Sequence, residues 1–315
     1  MAADLRIGLV GARGHVGGEL VRLLENHPRM KVAWAATRSG GGQRVGHVVL
    51  EEMTPEDAAH RDVDAVVLAL PNGQAASWVS ALDASGRAPV VVDLSADMRF
   101  TDTWVYGLPE LNREKVRGAR RISNPGCYAT GMQLGLAPLR ELLAETPHVF
   151  GVSGYSGAGT TPSDKNDPEK LKDNLMPYSL VDHTHEREVT RHLGHPIHFM
   201  PHVASHFRGI TLTISTVLRR GLTADELHEL FSDAYRNEPL VQVVKDTPWV
   251  SRAAGRHDVT VGGFTADAAR GRAVVVVTLD NLLKGAATQA LQNLNLALGV
   301  DELTGIPLHG PTTVG

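Results

Sequence analysis

The chain has 315 residues, a formal net charge of −4, and 42% hydrophobic against 21% charged residues. That length exceeds what one hydrophobic core usually spans, so two domains are expected. No apolar run approaches the ~18 residues that cross a bilayer, and no basic block invites nucleic acid. A strand-like run beginning at Leu5 comes too early for a signal peptide. With one cysteine there is no intramolecular disulfide, which fits a reducing cytoplasm.

The apolar run Leu5–Val10 passes at once into Gly11-Ala12-Arg13-Gly14-His15-Val16-Gly17 and then an amphipathic stretch with Leu20, Leu23 and Leu24. Glycines between a strand and a helix allow a tight turn and let backbone approach a pyrophosphate at the helix N-terminus. Gly11, Gly14 and Gly17 are therefore candidate cofactor contacts; the plain alternative is a glycine-rich turn that binds nothing. The next strand, residues 31–36, runs into Thr37-Arg38-Ser39 with no acid to bind ribose hydroxyls. An arginine between two hydroxyls suits a 2′-phosphate, which points to NADP(H).

Residues 64–70 read as a buried parallel strand, with Pro71-Asn72-Gly73 opening a helix through Leu82. Residues 89–94 form another strand, and Arg99 follows it. Loops at the carboxyl ends of such strands line the ligand crevice. Pro71 and Asn72 are thus candidate cofactor contacts. Arg99 is a candidate for the substrate, or else a surface partner of Asp97 or Asp102.

Cys127 stands in Ser123-Asn124-Pro125-Gly126-Cys127-Tyr128-Ala129-Thr130, a Pro-Gly turn before a helix-forming run at 132–143. A helix N-terminus stabilises an anion, and thiolate is the nucleophilic form of cysteine. A buried, inert cysteine is the alternative reading, so the remaining chain has to supply partners.

Residues 149–155 read as a strand that enters the loop Ser156-Gly157-Ala158-Gly159-Thr160-Thr161, with Lys165 adding a positive charge just beyond. Gly157 is a candidate contact for phosphate or nicotinamide through backbone N–H groups. Further on come Tyr178 and the pair His183 and His185. Two histidines alone fall short of a metal site, so no metal is expected. A histidine from this pair working as acid and base beside a thiolate is more economical, and His202 is a second candidate base. Arg208, just before the alternating strand Ile210–Val217, suits a bidentate pair with a substrate carboxylate. Thr223-Ala224-Asp225-Glu226 spells a capping box for a helix reaching Tyr235. Strands near 259–264 and 273–279 suggest a mixed or antiparallel sheet. After Asp280-Asn281, a helix to about Leu298 is placed to pack back on the first domain. The division expected is 1–126 with 284–315, and 127–283.

Together these residues resemble one family, N-acetyl-γ-glutamyl-phosphate reductase of arginine biosynthesis, in the wider semialdehyde dehydrogenase superfamily. The resemblance is carried by the cysteine segment 122–138, by residues 11–17, 94–99, 153–159 and 280–289, and by Tyr106-Gly107-Leu108-Pro109-Glu110, and it spans about 5–305. It implies an α/β protein, with a Rossmann-type NADP-binding domain and an α+β catalytic and dimerisation domain. It implies Cys127 as nucleophile and His183 as base, with Tyr178, His202, Arg99 and Arg208 binding substrate and Asn281 meeting the nicotinamide. Partners implied are an acyl phosphate, inorganic phosphate and further copies of the chain, as a dimer or tetramer. The chain departs from the family at Thr184, where an arginine is usual, at Asn72, and at Gly255-Arg256-His257. Rival readings are an aspartate-semialdehyde dehydrogenase-like enzyme and a non-catalytic NADP-binding regulator. The second leaves the cysteine, histidines and arginines without a purpose.

Overall fold

The first apolar run becomes β1 (Leu5–Val10), its last four residues buried, followed by α1 (His15–Glu25) and β2 (Met30–Thr37). These come from a computed structural model that describes residues 4–308. Residues 1–3 and 309–315, the ends of the ranges expected for the first domain and its returning helix, lie outside the described residues. The chain divides into two units. One runs up to Gly126 and includes Ala286–Ile306, and the other runs Cys127–Gly285.

The first unit continues with β3 (Arg44–Val45), β4 (Val48–Glu52), α2 (Pro55–Ala59), β5 (Ala65–Leu68), α3 (Ala75–Ala84), β6 (Val90–Asp93), β7 (Val105–Tyr106), α4 (Pro109–Val116) and β8 (Arg121–Ser123). They form one eight-stranded sheet in the order β3-β4-β2-β1-β5-β6-β8-β7. Every neighbouring pair is parallel except β3 with β4. β5 and β6 are buried along their whole length, as parallel strands covered on both faces must be. Chain order reverses at β1, with β2 on one side and β5 on the other, so the loops after β1 and β5 flank the switch point where such sheets bind ligands.

The helix Thr288–Ala297 completes this unit, in contact with α1, α4 and β6 and buried from Thr288 to Leu296. Two of its buried amides donate inside the unit: Asn293 Nδ2 to Gly107 O at 2.9 Å and to Asn124 Oδ1 at 3.0 Å, and Gln289 Nε2 to Gly107 O at 2.9 Å. Buried amides hold position only while they stay paired.

The second unit begins with α5 (Cys127–Leu136), then a 3₁₀ turn (Ala137–Leu142) where Pro138 lacks the N–H needed to continue an α-helix. β9 (His148–Gly154), α6 (Pro168–Leu171), β10 (Leu175–Pro177), α7 (Thr184–Leu193), β11 (His198–Ala204), β12 (Ile210–Val217), α8 (Ala224–Ala234), β13 (Val241–Val243), α9 (Val250–Ala253), β14 (Val259–Asp267) and β15 (Arg272–Leu279) follow. The seven strands order as β10-β11-β9-β12-β15-β14-β13 in a mixed sheet, parallel at β11/β9 and β13/β14 and antiparallel elsewhere. α5 lies on one face against β12, β14 and β15, with α7 beside it. It sits close because Gly131 and Gly135 face the sheet: a Cβ on Gly135 would stand 2.4 Å from Ile214 Cδ1 and 2.8 Å from Val277 Cγ2. Thr223 caps α8 with the expected box.

Asn293→Leu leaves Asn124 Oδ1 without its donor and Gly107 O with Gln289 alone inside the first unit. The expected cost is about 2 kcal/mol of stability, read as a lower urea midpoint. An unchanged midpoint would remove Asn293 from that role.

Candidate active site

Cys127 is the first residue of α5, half-buried, directly after the Pro125-Gly126 turn. Backbone N–H groups there are unpaired along the helix and the macrodipole favours a thiolate. Gly285 approaches from the turn after β15, so closely that a Cβ on it would be 2.8 Å from Cys127 Cβ. Only glycine fits there.

Tyr128, next in sequence to Cys127, packs on His185 and Phe199, and these rings join His183 and Tyr178 in one cluster. The edge strand β10 pairs with β11, with Pro177 opposite His202, and Tyr178 N donates to Pro201 O at 3.2 Å. That fixes Tyr178 next to Tyr128, whose hydroxyl donates to His202 O at 2.7 Å. Burial, then the neighbouring Cys127, push the Tyr178 hydroxyl above the ordinary tyrosine range, so it stays protonated. Ser179 and Asp182 take left-handed backbone (φ 44° and 57°) to turn the chain from Tyr178 into α7. The His183 ring then packs on Tyr178 at 5.7 Å, His185 at 4.9 Å and Phe199 at 5.3 Å between centroids.

His183 is itself the N-cap of α7, with Nδ1 accepting the His185 N–H at 3.1 Å. Nδ1 is therefore the acceptor in the neutral ring and Nε2 carries the proton. Burial, followed by the charges of Lys165 and Arg187, lowers its pKa to about 4. Protonation at Nδ1 would also displace the cap. Glu186 fastens this first turn, accepting from Phe199 N at 2.7 Å and from Asp182 N at 3.2 Å.

His202 is placed elsewhere. Along β11, Phe199, Pro201 and Val203 are buried on the α5 face, so His202 points to the other face, its ring 4.5 Å from that of Phe150. Its Nδ1 meets Met200 O at 3.1 Å. The expectation that its ring serves as base or touches substrate beside Cys127 is corrected by strand parity; only its carbonyl reaches the cluster.

Arg208 precedes β12, with Nε 3.4 Å from the buried Asp280 carboxylate. Asp280 also accepts from Gly255 N, Leu282 N and Leu283 N at 2.6, 2.8 and 3.1 Å. Burial raises its carboxyl above the ordinary range, opposed by the Gly255 N–H and Arg208. Asn281, expected at the nicotinamide, is buried with Oδ1 accepting from Gly209 N at 2.7 Å and Nδ2 donating to Ser156 Oγ at 2.9 Å. It braces two loops. Gly157, next to Ser156, is exposed.

In the first unit, Gly11 has φ +88° and a Cβ on it would overlap Ala69 O at 2.1 Å; one on Gly17 would lie 2.3 Å from Gly11 O. Gly14, the N-cap of α1, meets only Gly11 O at 3.5 Å. The protein thus demands glycine at 11 and 17, and leaves the approach to 14 open. Arg38 is exposed beyond β2, its NH2 group 2.5 Å from Gln74 Oε1. Thr37 is buried, with Oγ1 donating to Ser39 O at 2.8 Å. Pro71 and Asn72 are exposed after β5, and Asn72 Oδ1 accepts from Ala96 N at 2.9 Å. Asp97 receives Gly73 N and Ala75 N. Arg99 is buried in this unit, donating to Asn124 O and Leu94 O at 2.9 Å each. It anchors the turn that leads to Cys127.

Among the described residues no group of three or more His, Cys, Asp or Glu is disposed to hold a metal ion, and no helix is long and apolar enough to cross a membrane. The semialdehyde dehydrogenase NAD-binding domain matches residues 6–119 and the semialdehyde dehydrogenase dimerisation domain matches 127–281. A nucleotide-binding sheet followed by a cysteine-headed helix is thus that of a semialdehyde dehydrogenase. The N-acetyl-gamma-glutamyl-phosphate reductase of Xanthomonas campestris pv. campestris (strain B100) is 56% identical, covering 95% of this chain and 98% of that protein. The reductase of the same name from Stenotrophomonas maltophilia (strain R551-3) is 57% identical, covering 96% and 98%. The chain belongs to this reductase family of oxidoreductases. Aspartate semialdehyde dehydrogenase II from Vibrio cholerae shares the fold, with a TM-score of 0.78 at 19% identity over 95% of this chain and 99% of that one. So does the Candida albicans aspartate semialdehyde dehydrogenase solved with NADP, with 0.71 at 16% identity over 95% and 99%.

The unfolded His183 ring takes a proton near 6.5 and the folded one only near 4. Between those values the unfolded state holds more protons, so this contribution is full above the window and is lost as pH falls through it. His183→Gln removes it, and the variant's urea midpoint is expected to drop less than the wild type's between about pH 7 and about 4.5. Parallel drops would contradict the neutral, buried ring.

Proposed function

We propose that the protein reduces N-acetyl-L-glutamyl 5-phosphate to N-acetyl-L-glutamate 5-semialdehyde with NADPH, releasing inorganic phosphate, as a step of arginine biosynthesis in the cytoplasm. The observation that carries this reading is Cys127 at the head of α5, followed by Tyr128 in a ring cluster that includes Tyr178 and His183. The family's dimerisation domain supports a homo-oligomer, a dimer or tetramer.

The first unit fits a dinucleotide. Gly14 leaves room for a pyrophosphate at the N-terminus of α1, flanked by Gly11 and Gly17. Arg38 and Ser39, with no acid at the end of β2, suit the 2′-phosphate of NADP(H). Pro71 and Asn72 lie at the end of β5, and Gly157 is an exposed backbone contact for the nicotinamide end. Bound NADPH supplies the hydride.

The chain's own residues do the rest. The Cys127 sulfur attacks the acyl carbon, and the carbon–oxygen bond to phosphate breaks to leave a thioester. His183 works through Nε2. The neutral ring donates to the acyl oxygen, where charge builds in each tetrahedral step. To take the thiol proton at Nε2 the ring first shifts its own proton to Nδ1, which gives up the cap; the thiol proton then passes from Nε2 to the departing phosphate, and the ring returns to its capped tautomer. Tyr178, kept protonated, adds a donor. After reduction the tetrahedral oxygen collapses, expelling the Cys127 thiolate and the aldehyde. Arg208, steadied by Asp280, holds the α-carboxylate. Arg99 acts as a positioning residue through Asn124.

Run in reverse, the enzyme should reduce NADP⁺ with the semialdehyde only when phosphate is present. Cys127→Ser is expected to abolish this, and near-normal turnover would sink the scheme. His183→Gln should lose roughly 100-fold in kcat while His202→Gln stays near wild type. Equal losses in both would overturn the choice of His183. Gly14→Ala should weaken NADPH binding at least about tenfold with little change in melting temperature, whereas Gly17→Ala should destabilise the fold by about 1–3 kcal/mol. Unchanged NADPH titration in Gly14→Ala would remove the pyrophosphate from that turn.

A further inference from the structure

The scheme above leaves one cation beside the cysteine cluster without a task. Lys165 Nζ stands 4.8 Å from the centroid of the Tyr178 ring, which packs in turn on His183. The loop that carries it is locked: Asn166 Oδ1 accepts from Ser163 N at 2.8 Å, and Asn166 Nδ2 donates to Gly159 O and Thr161 O at 2.9 and 2.8 Å. The adjacent carboxylate, Asp164, is taken by Lys170 at 2.5 Å, and Asp167 caps α6. No carboxylate among the described residues pairs with Lys165.

A half-buried ammonium held against an aromatic face, with no counter-ion of its own, is poised for an anion that comes and goes. The substrate brings two anionic groups. Its carboxylate is matched by Arg208, whose guanidinium is already steadied by Asp280 and therefore oriented before substrate arrives. The other is the phosphate on the carbon that the thiol attacks, so it has to lie next to the residues around Cys127, and Tyr178, hydrogen-bonded to Tyr128, is one of them.

Resting on the proposed reaction, we infer that Lys165 is a catalytic residue that binds the phosphate of the acyl phosphate and receives it as the leaving group. As the sulfur–carbon bond forms and the carbon–oxygen bond breaks, the departing oxygen keeps the electron pair and takes the proton from His183. The Lys165 ammonium offsets the charge that gathers on the phosphate. Nothing is oxidised or reduced in this step. In reverse, the same contact positions inorganic phosphate to attack the thioester.

The test is steady-state kinetics of the full-length enzyme in the reverse direction, with inorganic phosphate, semialdehyde and NADP⁺ varied in turn. Lys165→Met should raise KM for phosphate roughly tenfold or more, with KM for semialdehyde and NADP⁺ within about twofold. Lys165→Arg should restore most of the phosphate affinity, because it keeps the charge. A phosphate KM unchanged in a Lys165→Met enzyme that melts like wild type overturns the inference. A rise confined to the semialdehyde KM also overturns it, and places the carboxylate there instead. A wild-type enzyme with no phosphate-dependent turnover overturns the underlying reaction, a result distinct from either.

Discussion

The second unit depends on a buried carboxylate. Asp280 sits at the end of β15 and gathers three backbone N–H groups and the Arg208 guanidinium around two oxygens. Removing a carboxylate from water is costly, and such a group is retained where its hydrogen bonds are satisfied. The consequence is geometric. Asp280 shapes the turn that brings Gly285 against Cys127, ties down the segment at Gly255, and sets the direction of Arg208. Asn281, the next residue, fixes Gly209 and Ser156 in the same way. Cys127 and Arg208 thus take their positions from one short stretch of chain after a strand.

The segment from Asp173 to Asp182, which contains β10 and leads into α7, is the strained counterpart to that rigid frame. Three non-glycine residues, Asp173, Ser179 and Asp182, hold left-handed backbone within ten residues of one another in sequence. Such conformations cost of order 1–3 kcal/mol each and collect where structure serves a site. Here they allow a short edge strand to deliver Tyr178, and the chain then to reverse and start a helix on His183.

Long patterned elements were legible in the sequence because one kind of side chain repeats along them. β1, β12 and the Thr223 cap of α8 occur at the residues expected, and the two-part α/β and α+β architecture follows from the same patterns. Strands such as β3, β7 and β8 have two or three residues and owe their existence to neighbours rather than to local preference. The helix expected at 132–143 starts earlier, at Cys127, and gives way at Ala137 because Pro138 interrupts its hydrogen bonding. Within the candidate site, the place of Cys127 before a helix followed from the Pro125-Gly126 turn, and the structure packs the Tyr178 and His183 rings together. His202 was misplaced, although the alternation of Phe199, Pro201 and Val203 carried the needed signal. The bracing by Asp280 and the neighbourhood of Lys165 depend on contacts between distant segments, which spacing alone does not reveal.

The alternation in β9 and β11 has an evolutionary consequence. Val149, Gly151, Phe199 and Pro201 serve the α5 face, while His148, Phe150, His198 and His202 lie on the other, where His148 and His198 pair at 5.0 Å and Phe150 and His202 at 4.5 Å. Two surfaces are written in interleaved letters of the same strands. Substitution can retune either surface alone, but inserting or deleting one residue would exchange them at once. These strands are therefore free to vary in side chain and bound in length, and sequence drift here is confined to changes that leave the count of residues untouched.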